Sequence, residues 1–170
     1  MINKCFSFSN FNSFRSFFVR NAFSKVLFDL FSIETTLSGI EYYPSEGNYG
    51  TLAYEDLWPH IGDYDFNDLV IDLRIEEYKN TSGEIVTIKA WFEIQGILAG
   101  MNNGFAIELG ISPDKVLSTV GGDFTKNYII RESNGTEERQ SKAVIGIFEE
   151  ANRHFVDGIG TVIEVTINLA

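Results

Sequence analysis

Apolar and polar residues alternate most regularly at "LVIDLRIEE", residues 69–77. Leu69, Ile71, Leu73 and Ile75 fall on one side of an extended chain, and Val70, Asp72, Arg74 and Glu76 on the other. "EIVTIKAWFEI", residues 84–94, repeats the period: Val86, Ile88, Ala90, Phe92 and Ile94 point one way, and Thr87, Lys89, Trp91 and Glu93 the other. The turn-forming "KNTSGE" between them predicts a β-hairpin. Further apolar segments stand at "GFAIELG", "NYIIRE", "KAVIGIFEE" and "GTVIEVTINL". Turn chemistry separates them at Asn103-Gly104, Gly121-Gly122-Asp123, Asn134-Gly135 and Asp157-Gly158. Only "SPDKVLSTV" offers a helical turn, with Ser112 as cap and Pro113 at its first position. Many short strands with regular turns predict an all-β fold, an antiparallel β-sandwich of jelly-roll-like form. The last strand reaches Leu169 one residue before the sequence stops, which predicts a sandwich incomplete at its C-terminal side.

The β pattern begins near residue 41, and composition divides the chain at about the same place. The first 33 residues hold nine of the fifteen Phe and a net charge of +3, which leaves −14 on the remainder of a chain whose total is −11. Residues 1–40 therefore read as a Phe- and Ser-rich basic head, and residues 41–170 as the β domain. Phe23, Val26, Leu27, Leu30 and Phe31 have helical spacing, which allows a short amphipathic helix. Three readings of the head compete: an export or membrane-surface segment, a helix packed on the domain, and upstream sequence translated from a wrong start. The last is preferred, because positive charges recur throughout and no apolar run ends in a cleavage site.

A length of 170 residues suits one domain with a real core. Hydrophobic and charged contents of 44% and 22% are those of a folded chain. The net charge of −11 argues against nucleic acid as a partner, since phosphate binding needs an excess of Lys and Arg. Cys5 is the only cysteine, so neither a disulfide framework nor a Cys-based metal site is available. His60 and His154 are too few for a transition-metal site and read as surface or core-edge residues. No nucleophile signature is present, and Gly121-Gly122 precedes an Asp that would repel phosphate.

The chemistry concentrates in "GDYDFND", residues 62–68. Asp63, Asp65 and Asn67 occupy alternate positions, followed at once by Asp68. Crowded carboxylates repel one another. A hard cation relieves that repulsion, and calcium takes six to eight oxygens from such a loop. Glu55 and Asp56 complete the shell if "TLAYED", residues 51–56, runs alongside. An EF-hand is excluded, because its Gly and bidentate Glu positions are filled here by Asp68 and Arg74. Asp72 lies about 13 Å from Asp68 along an extended strand, too far to join, and is placed to pair with Arg74. The bland alternative is that these residues are turn formers bonding their own backbone. Glu55 and Asp63 also admit a two-carboxylate hydrolase, but so dense a cluster suits a cation better. Trp91, on the outward face, offers a stacking platform for a sugar unless another segment covers it. Asn80-Thr81-Ser82 and Asn134-Gly135-Thr136 match the glycosylation pattern but read as turns.

Residues 42–75, "YYPSEGNYGTLAYEDLWPHIGDYDFNDLVIDLRI", resemble the LruC-domain family. The resemblance rests on Gly50 to Pro59 and on Gly62 to Val70, with further likeness at Asn103-Gly104-Phe105 and at residues 134–148. It covers about residues 41–169. It implies a β-sandwich of unassigned function in bacterial secreted proteins and surface lipoproteins. Related secreted domains with a similar acidic pattern are thought to bind calcium, which implies Glu55, Asp56, Asp63, Asp65, Asn67 and Asp68 as ligands. His60-Ile61 departs from the family's pattern, residues 1–40 match nothing in it, and the family normally continues past residue 170. A non-enzymatic calcium-binding domain, extracellular or at the bacterial cell surface, is the function these features predict. A glycan- or matrix-binding module is the alternative, with a glycan or surface protein as partner; oligomeric state is not fixed by the sequence.

Overall fold

The computed structural model describes residues 18–19, 37–55, 65–100 and 102–170. The amphipathic stretch at 23–31, Cys5, Asp56, His60 and Asp63 lie outside them. Among the described residues, eleven strands run in chain order as β1 (Phe18–Val19), β2 (Leu37–Tyr43), β3 (Gly50–Tyr54), β4 (Leu69–Asn80), β5 (Ile85–Gly96), β6 (Phe105–Glu108), β7 (Val116–Gly121), β8 (Val144–Phe148), β9 (Phe155–Val156), β10 (Ile159–Gly160) and β11 (Val162–Leu169). Six of them form a large antiparallel sheet in the order β2-β4-β5-β11-β7, with β3 also paired to β4. A smaller antiparallel sheet, β1-β6-β8, faces it. The result is an all-β, sandwich-like fold, as the periodicity predicts.

The alternation of β4 and β5 sets the large sheet's two faces. Ile71↔Ile94, Leu73↔Phe92 and Ile75↔Ala90 are paired positions, and their side chains enter the core together. On the far side β11 adds Ile163, Val165, Ile167 and Leu169 in the same phase. Facing them, β8 is buried along its whole length. Phe105 of β6 joins the layers: its ring lies 5.6 Å from Phe92 and 5.7 Å from Phe148, centre to centre. Burial of this kind contributes roughly 25 cal/mol per Å² of apolar surface.

The predicted hairpin joins β4 to β5, and Asn80 builds its turn. Its side chain is 1% exposed. Oδ1 accepts the N–H groups of Ser82 (3.0 Å) and Glu84 (2.9 Å), while Nδ2 donates to Glu84 Oε2 (2.8 Å). Asn134 is the second sequon position read as a turn, and it is equally occupied. Nδ2 donates to the carbonyls of Pro113 and Val116, both at 2.9 Å, and Oδ1 accepts from Thr136. The "SPDK" segment forms a single 3-10 turn, Pro113–Lys115, after which the chain passes straight into β7.

Two expectations change. "NYIIRE" is not a strand: Asn127 adopts a left-handed φ of 56°, Tyr128 and Ile130 are exposed, and one bridge, Arg131↔Glu137, is its whole ladder. Asp72 bonds Thr51 Oγ1 (2.5 Å), and Arg74 instead stacks on an aromatic ring. Within the head, Phe18–Val19 forms a strand that pairs with Glu108 and Ile107 of β6.

The edge of the large sheet is split. β2 runs antiparallel to residues 75–80 of β4, and β3 continues in the same direction against residues 69–73. Between them, residues 44–49 leave the sheet. Thr51 to Tyr54 of "TLAYED" therefore do run alongside the strand that follows the acidic loop.

Candidate functional site

The acidic loop sits where this split edge ends. Tyr54 pairs with Leu69 at the end of the β3–β4 ladder, and Glu55 and Asp68 are the next residues along the two chain segments. Glu55 is 2% exposed, Asp68 and Asn67 are half-buried, and Asp65 is exposed. Asn67 Nδ2 donates to Asp65 Oδ2, so those two side chains are brought into direct contact. That contact joins two side chains, whereas turn formers would bond their own backbone. Phe66 between them takes a left-handed φ of 55°. The loop is moored to the chain beyond β5: Leu98 N–H donates to the Asn67 carbonyl (3.2 Å) and Ala99 N–H to that of Asp68 (3.4 Å).

Of the six sequence-derived ligands, four are thus described: Glu55 and Asp68 each adjoin the end of the β3–β4 ladder, and Asp65 and Asn67 are joined by a hydrogen bond. Asp56 and Asp63 lie outside the described residues. Among the described residues, no three His, Cys, Asp or Glu side chains converge as a metal site would require.

Trp91 emerges from β5 on the outward face, as its phase predicts. The Arg74 guanidinium lies over the indole, 4.1 Å from its centre, and 5.7 Å from that of Tyr49. Tyr49 comes from the 44–49 segment that interrupts the edge, so the gap beside Arg74 is closed by that ring. One face of the indole is consequently taken by a side chain of this protein. Further along the same face, Tyr78 donates to Glu76 Oε2 (2.6 Å). That hydrogen bond to a carboxylate, with burial and the nearby negative charge, pushes the phenol up to about 12.

Two polar constellations escaped the sequence reading. Glu149, directly after β8, is 5% exposed. Oε2 accepts the N–H groups of Lys126 (2.7 Å) and Asn127 (2.9 Å), and Oε1 that of Ile129 (2.9 Å). Beside it, Asp123 Oδ2 meets Arg153 Nε at 3.0 Å and His154 Nε2 at 3.1 Å, while the His154 ring packs on Phe148. His154 is thus a core-edge histidine. Elsewhere, a polar cleft of about 460 Å³ opens between the 3-10 turn and residues 132–140, lined by Asp114, Glu132, Asn134, Glu137, Arg139 and Gln140.

Fold and site together define a sandwich-like all-β domain of unassigned function. Residues 83–166 match the family described as a domain of unknown function (DUF4842). The match opens in the β4–β5 turn and closes within β11, so the acidic loop lies upstream of it. No curated protein and no solved structure matches the chain.

Proposed function

We propose that this is a non-enzymatic, calcium-stabilised β-sandwich of a bacterial cell-surface or secreted protein, related to the LruC domains. The observation that carries the reading is Glu55, a buried carboxylate one residue beyond the last pair of the β3–β4 ladder, at the end of that ladder from which the loop holding Asp65 and Asn67 leaves β4. Removing a carboxylate from water is costly, and carboxylates so placed gain most from a bound cation. Asp56 and Asp63 supply the remaining oxygens in this scheme. The kinship is supported by the long motif of residues 42–75 immediately upstream of a family match that is itself without assigned function. The surface location follows from that kinship alone.

The ion acts on stability by linkage, because the unfolded loop does not hold it in place. At a free concentration one hundredfold above Kd it adds about 2.7 kcal/mol. For a chain of this size that raises the thermal midpoint by about 5–10 °C. The test is a melt in calcium, in magnesium and in chelator, with Asp65→Ala and Asp68→Asn. A midpoint indifferent to calcium in the unmodified chain sinks the proposal.

A further inference from the structure

We propose that Asn103 is a site of spontaneous covalent modification, at which the fold leaves one Asn-Gly bond open to cyclisation and deamidation while it locks the other. The chain holds two such pairs, Asn103-Gly104 and Asn134-Gly135. In each, the glycine nitrogen reaches the asparagine side-chain carbonyl carbon unhindered, because no Cβ stands beside it. Once that nitrogen loses its proton to hydroxide it bonds to Cγ. The Cγ–Nδ2 bond then breaks, and ammonia leaves with a proton taken back from water. A further water opens the cyclic imide at either carbonyl, giving aspartate or isoaspartate. By residue type alone the two pairs are equivalent.

The structure separates them at each reacting atom. Asn134 is held at both ends of its amide. Nδ2 donates to the carbonyls of Pro113 and Val116, and Oδ1 accepts the Thr136 N–H (3.2 Å) and hydroxyl (2.8 Å). The attacking nitrogen is engaged as well, since Gly135 N–H donates to the Glu132 carbonyl at 3.0 Å. The first set of bonds fixes Cγ, and the second retains the proton that has to leave. At the other pair the Asn103 side chain is half-buried and, among the described residues, makes no hydrogen bond. Gly104 N–H likewise has no acceptor among them, while the carbonyl of the same peptide bond accepts Ala151 N–H at 2.8 Å. Loss of the Gly104 proton spreads negative charge onto that oxygen, so a donor already in place stabilises the attacking form. The site lies in the connection from β5 to β6. Isoaspartate there adds a methylene to the main chain just ahead of Phe105, where even a Cβ on Gly104 would stand 3.2 Å from the Glu149 carbonyl oxygen.

Peptide mapping of the aged full chain tests this. The protein is incubated at mildly alkaline pH, folded and in guanidinium chloride, then digested with trypsin at mildly acidic pH, where the imide forms slowly. The two sites fall on separate peptides, residues 90–115 and residues 132–139, and mass spectrometry follows the change from amide to acid in each. In the folded chain Asn103 is expected to convert at least about tenfold faster than Asn134, the difference expected from the hydrogen bonds that hold Asn134. In guanidinium chloride the two are expected to convert at similar rates. Asn102, whose side chain bonds Glu150 Oε1 and the Asn152 N–H, is expected to stay intact in the folded chain. Conversion of Asn103 no faster than that of Asn134 in the folded chain overturns the proposal. So does conversion of Asn103 confined to the unfolded chain, since the fold would then protect both sites.

Discussion

The guanidinium of Arg74 rests 4.1 Å above the centre of the Trp91 indole, across the pair of strands that forms the centre of the large sheet. The two residues are directly paired, so the contact follows from register alone. Its Nε is buried with no hydrogen-bond partner among the described residues, which leaves the aromatic face as its compensation. Cation–π contacts of this kind contribute about 0.5–2 kcal/mol. Trp91→Ala and Arg74→Ala are each expected to lower stability, with a coupling of about 0.5–2 kcal/mol in a double-mutant cycle by denaturant unfolding. Arg74→Lys keeps the charge and loses the flat stacking surface, so it is expected to fall nearer to Arg74→Ala than to wild type.

Glu149 organises residues 123–130 through backbone bonds. Removing it leaves three N–H groups without their acceptor, although Lys126 and Asn127 are near enough to water to be partly resolvated. Glu149→Ala is expected to cost about 2–3 kcal/mol. Amide exchange at residues 126, 127 and 129 is expected to accelerate well beyond the global change. Glu149→Gln keeps one acceptor oxygen and is expected to lose roughly half as much.

Tyr78 holds its proton to about pH 12, against an ordinary value near 10, because the phenol donates to Glu76. The folded state therefore binds more protons than the unfolded state between those values. The stability from this bond is present below pH 10 and is lost as pH rises through 12. An ultraviolet titration of tyrosinate is expected to show a late-titrating component from Tyr78 in wild type, and Glu76→Gln is expected to move that component to lower pH.

Asn80 carries the β4–β5 turn through a buried side chain whose oxygen takes two backbone N–H groups. Asn80→Ala is expected to cost about 2 kcal/mol, from unsatisfied donors and a small cavity. The loss is measurable as a lowered urea midpoint with an unchanged slope.

Much of this fold is legible where one side of a strand meets the core and the other meets water. β4 and β5 satisfy that condition, so their period-two pattern gives register and facing together. β8 does not, since all five residues are buried and its apolar run carries no phase. "NYIIRE" has the composition of a strand, but its chain path is dictated by Glu149, a residue seventeen or more positions away in sequence. The acidic loop is legible as a set of residue types and only partly as a geometry. Spacing along the chain does not show that Asp65 and Asn67 bond each other, while the placement of Thr51–Tyr54 beside β4 is what the reading of "TLAYED" assumed. Glu149 is invisible for a different reason: its partners are main-chain groups, which every residue carries.

The split edge has a consequence for how this domain tolerates change. β2 and β3 are each keyed to their own half of β4, so neither register depends on the length of the connection between them. Residues 44–48 thus form a permissive port, at which a tag or a longer excursion can be spliced without shifting any strand, provided Tyr49 stays behind to cover Arg74.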